Sequence, residues 1–128
     1  MSHHVATATQ DYKSVHLQAD IDTANPHRLI QLLMHKLLAN LIQARSHMES
    51  QTTNKKGELI SRSISIIDCL RTSLNFDAGA KVSENLENLY DFMIRELLLS
   101  NMNNDLEQLG TVISLVSEIK DAWDQIRD

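Results

Sequence analysis

Six histidines and a single cysteine are the side chains of this 128-residue chain best suited to metal binding or nucleophilic work. His27, His35 and His47 share one predicted helix at spacings of eight and twelve. At about 3.6 residues per turn they fall in rough angular register but several turns apart, so one ion cannot reach all three. The Glu-x-x-His pair that sets two metal ligands on the inward face of a helical bundle is absent from the sequence. No metal is expected, and these histidines read as solvated or half-buried. His35, in the middle of its helix, is the position to test for phosphoryl transfer. Histidine phosphotransfer domains follow their histidine with x-Leu-Lys-Gly, whereas Lys36, Leu37, Leu38 and Ala39 stand here, with the order changed and no glycine to clear space for a partner. A phosphotransfer-like signalling bundle using His35 is therefore kept only as the alternative reading. Cys69 lies at helical spacing between Ile66 and Leu70, the position of a small buried hydrophobe rather than a nucleophile. The three glycines stand alone, so no glycine-rich phosphate loop exists. The chain reads as a non-enzyme without a cofactor.

The elements that would position any site are helices. Three glycines and one proline are too few for a sandwich or barrel, which needs a turn signal every 8–12 residues or so. Hydrophobic residues make up 42% and aromatics 4%, so aliphatic side chains must fill the core. A net charge of −5 is opposite to that of a phosphate-binding surface, which excludes nucleic acid as the expected partner. One cysteine leaves no intramolecular disulfide, and no apolar run approaches the ~20 residues that cross a bilayer. A cytoplasmic protein without direct membrane insertion is expected.

Asn25 and Pro26 form an N-cap and first-turn pair that opens a helix. Ile30, Leu33, Leu37, Leu41, Ala44 and Met48 make one stripe along it, and Leu29, Met34, Leu38 and Ile42 a second. The polar stretch 49–57 predicts a loop. A second helix is predicted from about residue 58 to 74, with rows Leu59, Ile66, Leu70, Leu74 and Ile60, Ile64, Ile67. Gly79 marks the next break, as a residue of positive φ or close chain approach. The third helix, about 81–102, carries Val82, Leu86, Leu89, Met93, Leu97 and, beside them, Tyr90, Ile94, Leu98. Asn104 with Glu107 resembles a capping box for a last helix over about 105–127, along which Leu106, Leu109, Val112 or Ile113, Val116, Ile119, Trp123 and Ile126 recur. The expected fold is all-α: residues 25–128 form an antiparallel four-helix bundle, with residues 1–24 as an extended or short-helical segment packed on it. In that segment Val15, Leu17, Ala19 and Ile21 alternate with polar neighbours, and Tyr12 precedes them as an amphipathic anchor. One stripe per helix would fill the core, so the second rows and the alternating segment suggest a groove for another chain.

Ordered motifs from Tyr12 to Ile126 resemble those of the flagellin-specific export chaperones, the FliS family. The residues that carry the likeness are Tyr12, Ile21, Ala24-Asn25-Pro26 and the Leu29-Ile30-Gln31-Leu32-Leu33-Met34 stretch. Ile66-Ile67-Asp68-Cys69-Leu70-Arg71-Thr72-Ser73-Leu74-Asn75, Asn85-Leu86-Glu87-Asn88-Leu89-Tyr90-Asp91-Phe92-Met93, Asn101 to Asp105 and Ala122-Trp123 follow at similar spacing. His35-Lys36 stands where the family often has Asp-Gly, and Ala78-Gly79-Ala80 replaces its usual paired glycine. The resemblance implies a chaperone that binds the C-terminal segment of flagellin, prevents its premature polymerisation and supports its delivery to the type III export apparatus. An export-gate component is then a second partner, and the chain is expected to act as a monomer or weak dimer. Joined to the apolar rows, the implied partner-binding residues are Tyr12, Val15, Leu17, Ile21, Leu29, Met34, Leu38, Ile64, Ile67 and Tyr90. The first four would occupy part of the flagellin groove in the free protein.

Overall fold

A computed structural model of the chain describes residues 26–74 and 80–126, which form four α-helices. They are α1 (Pro26–Glu49), α2 (Thr53–Thr72), α3 (Ala80–Asn103) and α4 (Leu106–Gln125). The expectations for Tyr12, Val15, Leu17, Ile21, Asn25 and Gly79 lie outside the described residues. Each helix packs against two neighbours, α1 on α2 and α4, α3 on α2 and α4, which closes a four-membered ring. The start of α1 meets the end of α4 through His27 and Trp123, and the start of α2 meets the end of α3 through Lys56 and Asn101. Neighbours therefore run antiparallel, as short connections between consecutive helices require.

Helix α1 ends in a Schellman motif. Gln51 takes a left-handed φ of 61°, the Thr52 amide donates to the His47 carbonyl at 2.8 Å, and the Gln51 amide donates to Met48 at 3.3 Å. The chain re-enters a helix at once, so the predicted 49–57 loop shrinks to three residues and α2 begins at Thr53. The polar run misled because its residues form the first turns of a helix whose burial begins with Lys56. Gly57 thus sits inside α2 and terminates nothing.

The α3–α4 corner departs from expectation in the same way. Asn104 is not the cap but the left-handed hinge, with φ 52°, and the Asp105 amide donates to the Ser100 carbonyl at 3.1 Å. Asp105 caps α4, its carboxylate accepting from the Gln108 amide at 3.1 Å. Asparagine tolerates the left-handed region better than aspartate's capping role would allow it to share, so adjacent residues divide the two tasks.

The core joins Leu33, Leu37, Leu41, Ala44 and Met48 of α1 with Ile60, Ile66, Ile67 and Leu70 of α2. Tyr90, Met93 and Leu97 of α3 and Leu109, Val112, Ile113 and Val116 of α4 complete it. Cys69 is buried, as a small hydrophobe at helical spacing should be. Most of the second rows turn inward too. Met34, Ile60 and Ile67 are buried, and Leu29, Leu38 and Ile64 are half-buried against the same core. The width of the apolar faces thus reflects helices flanked on two sides in a ring more than surface held open.

Candidate partner-binding surface

Hydrophobic side chains left in water are the residues a partner chain can cover. The large exposed ones among the described residues are Ile42, Val82, Leu98, Leu99, Met102, Leu106 and Ile126. Four of the seven lie within nine residues, across the end of α3 and the start of α4. Leu98 and Met102 stand four apart and Leu99 and Met102 three apart, so the three share one strip of α3. Leu106 opens the next helix at the same end of the bundle. Residues 97–104 include no charged side chain, in a chain where 23% of residues are charged. The corner is an apolar patch bounded by the amides Asn101, Asn103 and Asn104.

Three hydrogen bonds hold that corner in shape. The Lys56 ammonium, almost wholly buried, donates to the Asn101 carbonyl at 2.9 Å and to Asn104 Oδ1 at 2.7 Å. Asn101 is in the last turn of α3, whose carbonyls lack partners within the helix, so a cation there satisfies an orphan acceptor and meets the negative end of the dipole. Ser100 Oγ adds a bond to the Asp105 carbonyl at 3.1 Å.

The opposite end is fastened by His27 and Trp123. Their rings stack with centroids 4.8 Å apart, the Trp123 indole N–H donates to the His27 carbonyl at 3.0 Å, and His27 Nε2 lies 2.9 Å from the Trp123 carbonyl. Since a carbonyl only accepts, His27 carries a proton on Nε2. Asp124 accepts from Gln31 at 3.0 Å and from Lys120 at 2.6 Å, and the Lys120 and Gln31 bonds hold its carboxyl below the usual range. Between α2 and α3, the Arg71 guanidinium forks onto Asp91 at 2.6 Å and onto Asp68, bonds that raise its pKa further.

The structure divides the expected binding residues into two groups. Leu29, Leu38 and Ile64 are half-buried, with part of each side chain still reachable. Met34, Ile67 and Tyr90 are core residues, and a partner would reach them only if helices separated. Their rows suggest a surface in the sequence because periodicity counts apolar rows but does not say how many neighbours a helix has. Burial also pushes the Tyr90 hydroxyl up to about 12. The α3–α4 corner escaped the sequence reading, although a signal existed. Leu97, Leu98 and Leu99 are consecutive, and at about 100° per residue they sweep some 200° of α3, so they cannot all face one core.

His35 is exposed and lines an open depression between α1 and α4 with Arg28, Gln31, Leu32, Lys120 and Asp124. His27 and His47 are half-buried, in keeping with the bland expectation for all three. Among the described residues no group of three or more His, Cys, Asp or Glu could hold a metal, and no helix is long and apolar enough to cross a membrane.

Comparison with known proteins bears on the same chain length. The sequence profile of the family described as Flagellar protein FliS matches residues 8–128. The chain is similar to Flagellar secretion chaperone FliSB of Pseudomonas aeruginosa, 43% identical over 119 residues that cover 93% of this chain and 94% of that one. It is similar to Flagellar secretion chaperone FliS of Vibrio cholerae, 38% identical over 91% of this chain and 86% of the other. The corresponding protein of Salmonella typhimurium is 36% identical, over 96% of this chain and 92% of its own. This match does not favour a phosphotransfer role for His35.

Proposed function

The chain belongs to the FliS family of flagellar secretion chaperones, and on that premise we propose that it binds the C-terminal segment of flagellin in the bacterial cytosol. Held in this way, the segment is kept from premature polymerisation and is presented to the flagellar type III export apparatus, through a gate component as second partner. The chain acts as a monomer or weak dimer and catalyses no reaction.

The observation that carries the reading is the exposed apolar corner formed by Leu98, Leu99, Met102 and Leu106, with no charged residue from 97 to 104. Terminal segments that polymerise into a filament core present apolar helical faces, and hiding such faces needs apolar area rather than charge. Ordering a disordered segment costs entropy, offset by contact spread over a long surface. Leu29, Leu38 and Ile64, half-buried on α1 and α2, are further contacts away from that corner, with Met34, Ile67 and Tyr90 in the core between the helices. Tyr12, Val15, Leu17 and Ile21 occupy part of the groove until flagellin displaces them.

Calorimetric titration of the full chain with a peptide from the flagellin C-terminus tests the reading. Binding with a negative heat-capacity change and little dependence on salt is expected. No measurable heat, together with failure to co-purify with flagellin, would remove the proposal. Phosphorylation of His35 by a phosphodonor kinase in place of such binding would revive the alternative.

A further inference from the structure

Five methionines occur in the chain, and four fall among the described residues. Their environments divide sharply. Met93 is 0% exposed, Met34 3% and Met48 5%, whereas Met102 is 75% exposed. Oxidation of a thioether requires the oxidant to reach sulfur, so accessibility separates these positions. Among the described residues Met102 is also the most exposed of the large hydrophobic side chains, and it stands in the apolar strip with Leu98 and Leu99.

We propose that Met102 is an oxidation-responsive site: conversion to the sulfoxide by a peroxide makes the α3–α4 corner polar and weakens docking of the partner's apolar helix there. The partner in this statement is the one proposed above, so the second half rests on that reading. In the chemical step a sulfur lone pair attacks one peroxide oxygen, the S–O bond forms as the O–O bond breaks, and water leaves after proton transfer. Sulfur is oxidised by two electrons and the peroxide is reduced by two. The product side chain is polar where it was apolar, and burying its oxygen against a hydrocarbon face without a donor carries a desolvation penalty. Nothing in the fold is disturbed, because Met102 contributes to the surface and not to the core. Docking and oxidation are then linked in both directions: a bound partner shields the sulfur, and the sulfoxide disfavours the partner.

The test uses the full chain treated with hydrogen peroxide, quenched with catalase, and mapped by peptide mass spectrometry. Added oxygen should reach Met102 at least about tenfold faster than Met34, Met48 or Met93, with unchanged helical circular dichroism; Met1 is followed on its own peptide. The oxidised chain should bind a flagellin C-terminal peptide about three- to tenfold more weakly. Met102→Leu, which has no sulfur to oxidise, should lose that sensitivity to peroxide, its affinity after treatment being compared with its own untreated value. Comparable oxidation at the buried positions, or weakening that persists in Met102→Leu, would overturn the proposal. Selective oxidation with unchanged affinity would overturn it as well, while leaving the chaperone reading intact. If the untreated chain binds no flagellin peptide, it is the chaperone reading that has failed, before any peroxide is added.

Discussion

Lys56 illustrates how one residue can matter to a surface without belonging to it. Its ammonium is buried where α2 passes the end of α3 and bonds to the Asn101 carbonyl and the Asn104 side chain. Lys56→Met keeps the aliphatic length but strands both acceptors. A loss of about 1–3 kcal/mol in urea unfolding is expected, the cost of leaving buried polar groups unmade; a change below a few tenths would mean that water replaces the ammonium. Ile67, fully buried, has a different task from the one its row suggested. Ile67→Ala should cost about 2–5 kcal/mol by cavity formation, with any effect on flagellin affinity secondary to loss of fold. Leu98→Lys should do the reverse, sparing thermal stability and reducing flagellin affinity by about tenfold or more. Tyr90 is the residue with a usable titration. Burial pushes its hydroxyl up to about 12 from the usual 10.0, so the neutral phenol is favoured by folding. That contribution is complete below pH 10 and is lost as pH rises toward 12, at up to about 1.4 kcal/mol per pH unit. Denaturant unfolding of Tyr90→Phe against the parent across that window isolates it: the variant should lack this share of the alkaline loss.

At the scale of the helix, what went unread in the sequence was where helices stop. Termination of α1 and α3 depends on left-handed residues that are not glycine, Gln51 and Asn104, so a search for glycine finds the wrong positions there. Two glycines lie inside helices instead. A Cβ at Gly57 would meet only Asn101 Oδ1 at 4.0 Å, and one at Gly110 would meet nothing within 4 Å. Neither glycine has positive φ. Gly57→Ala and Gly110→Ala should therefore each stabilise the protein by about 0.5–1 kcal/mol, through lower backbone entropy in the unfolded chain. Differential scanning calorimetry would read this as a rise of a few degrees, and a fall at Gly57 would show that Asn101 needs the room. The existence and type of all four helices were legible because long stripes at three- and four-residue steps have no alternative interpretation. The capping assignment at Asn104 and Glu107 failed because the capping-box pattern is short and Asp105 offers an equally good acceptor one residue later.

Across the whole molecule, fastening differs from one end of the bundle to the other. The His27–Trp123 pair binds the start of α1 to the end of α4 by stacking and two side-chain-to-backbone bonds, while the other end carries the exposed apolar corner. Leu98, Leu99 and Met102 stand outside the core, so substitutions of these side chains need not unfold the protein. If residues 1–17 share the flagellin groove, removing them should change the dissociation constant for a flagellin peptide while helical circular dichroism per residue stays nearly constant; equal affinity would exclude that role. The sequence by itself determined the class of fold, the number of helices and the family, because apolar periodicity and ordered motifs are written locally along the chain. Which apolar rows became core and which stayed in water was decided only by the tertiary structure. A helix with two neighbours buries a wider arc than its own pattern reveals, so Met34, Ile67 and Tyr90 went inside. Where α3 and α4 meet at a corner, no neighbour among the described residues covers Leu98, Leu99 and Met102.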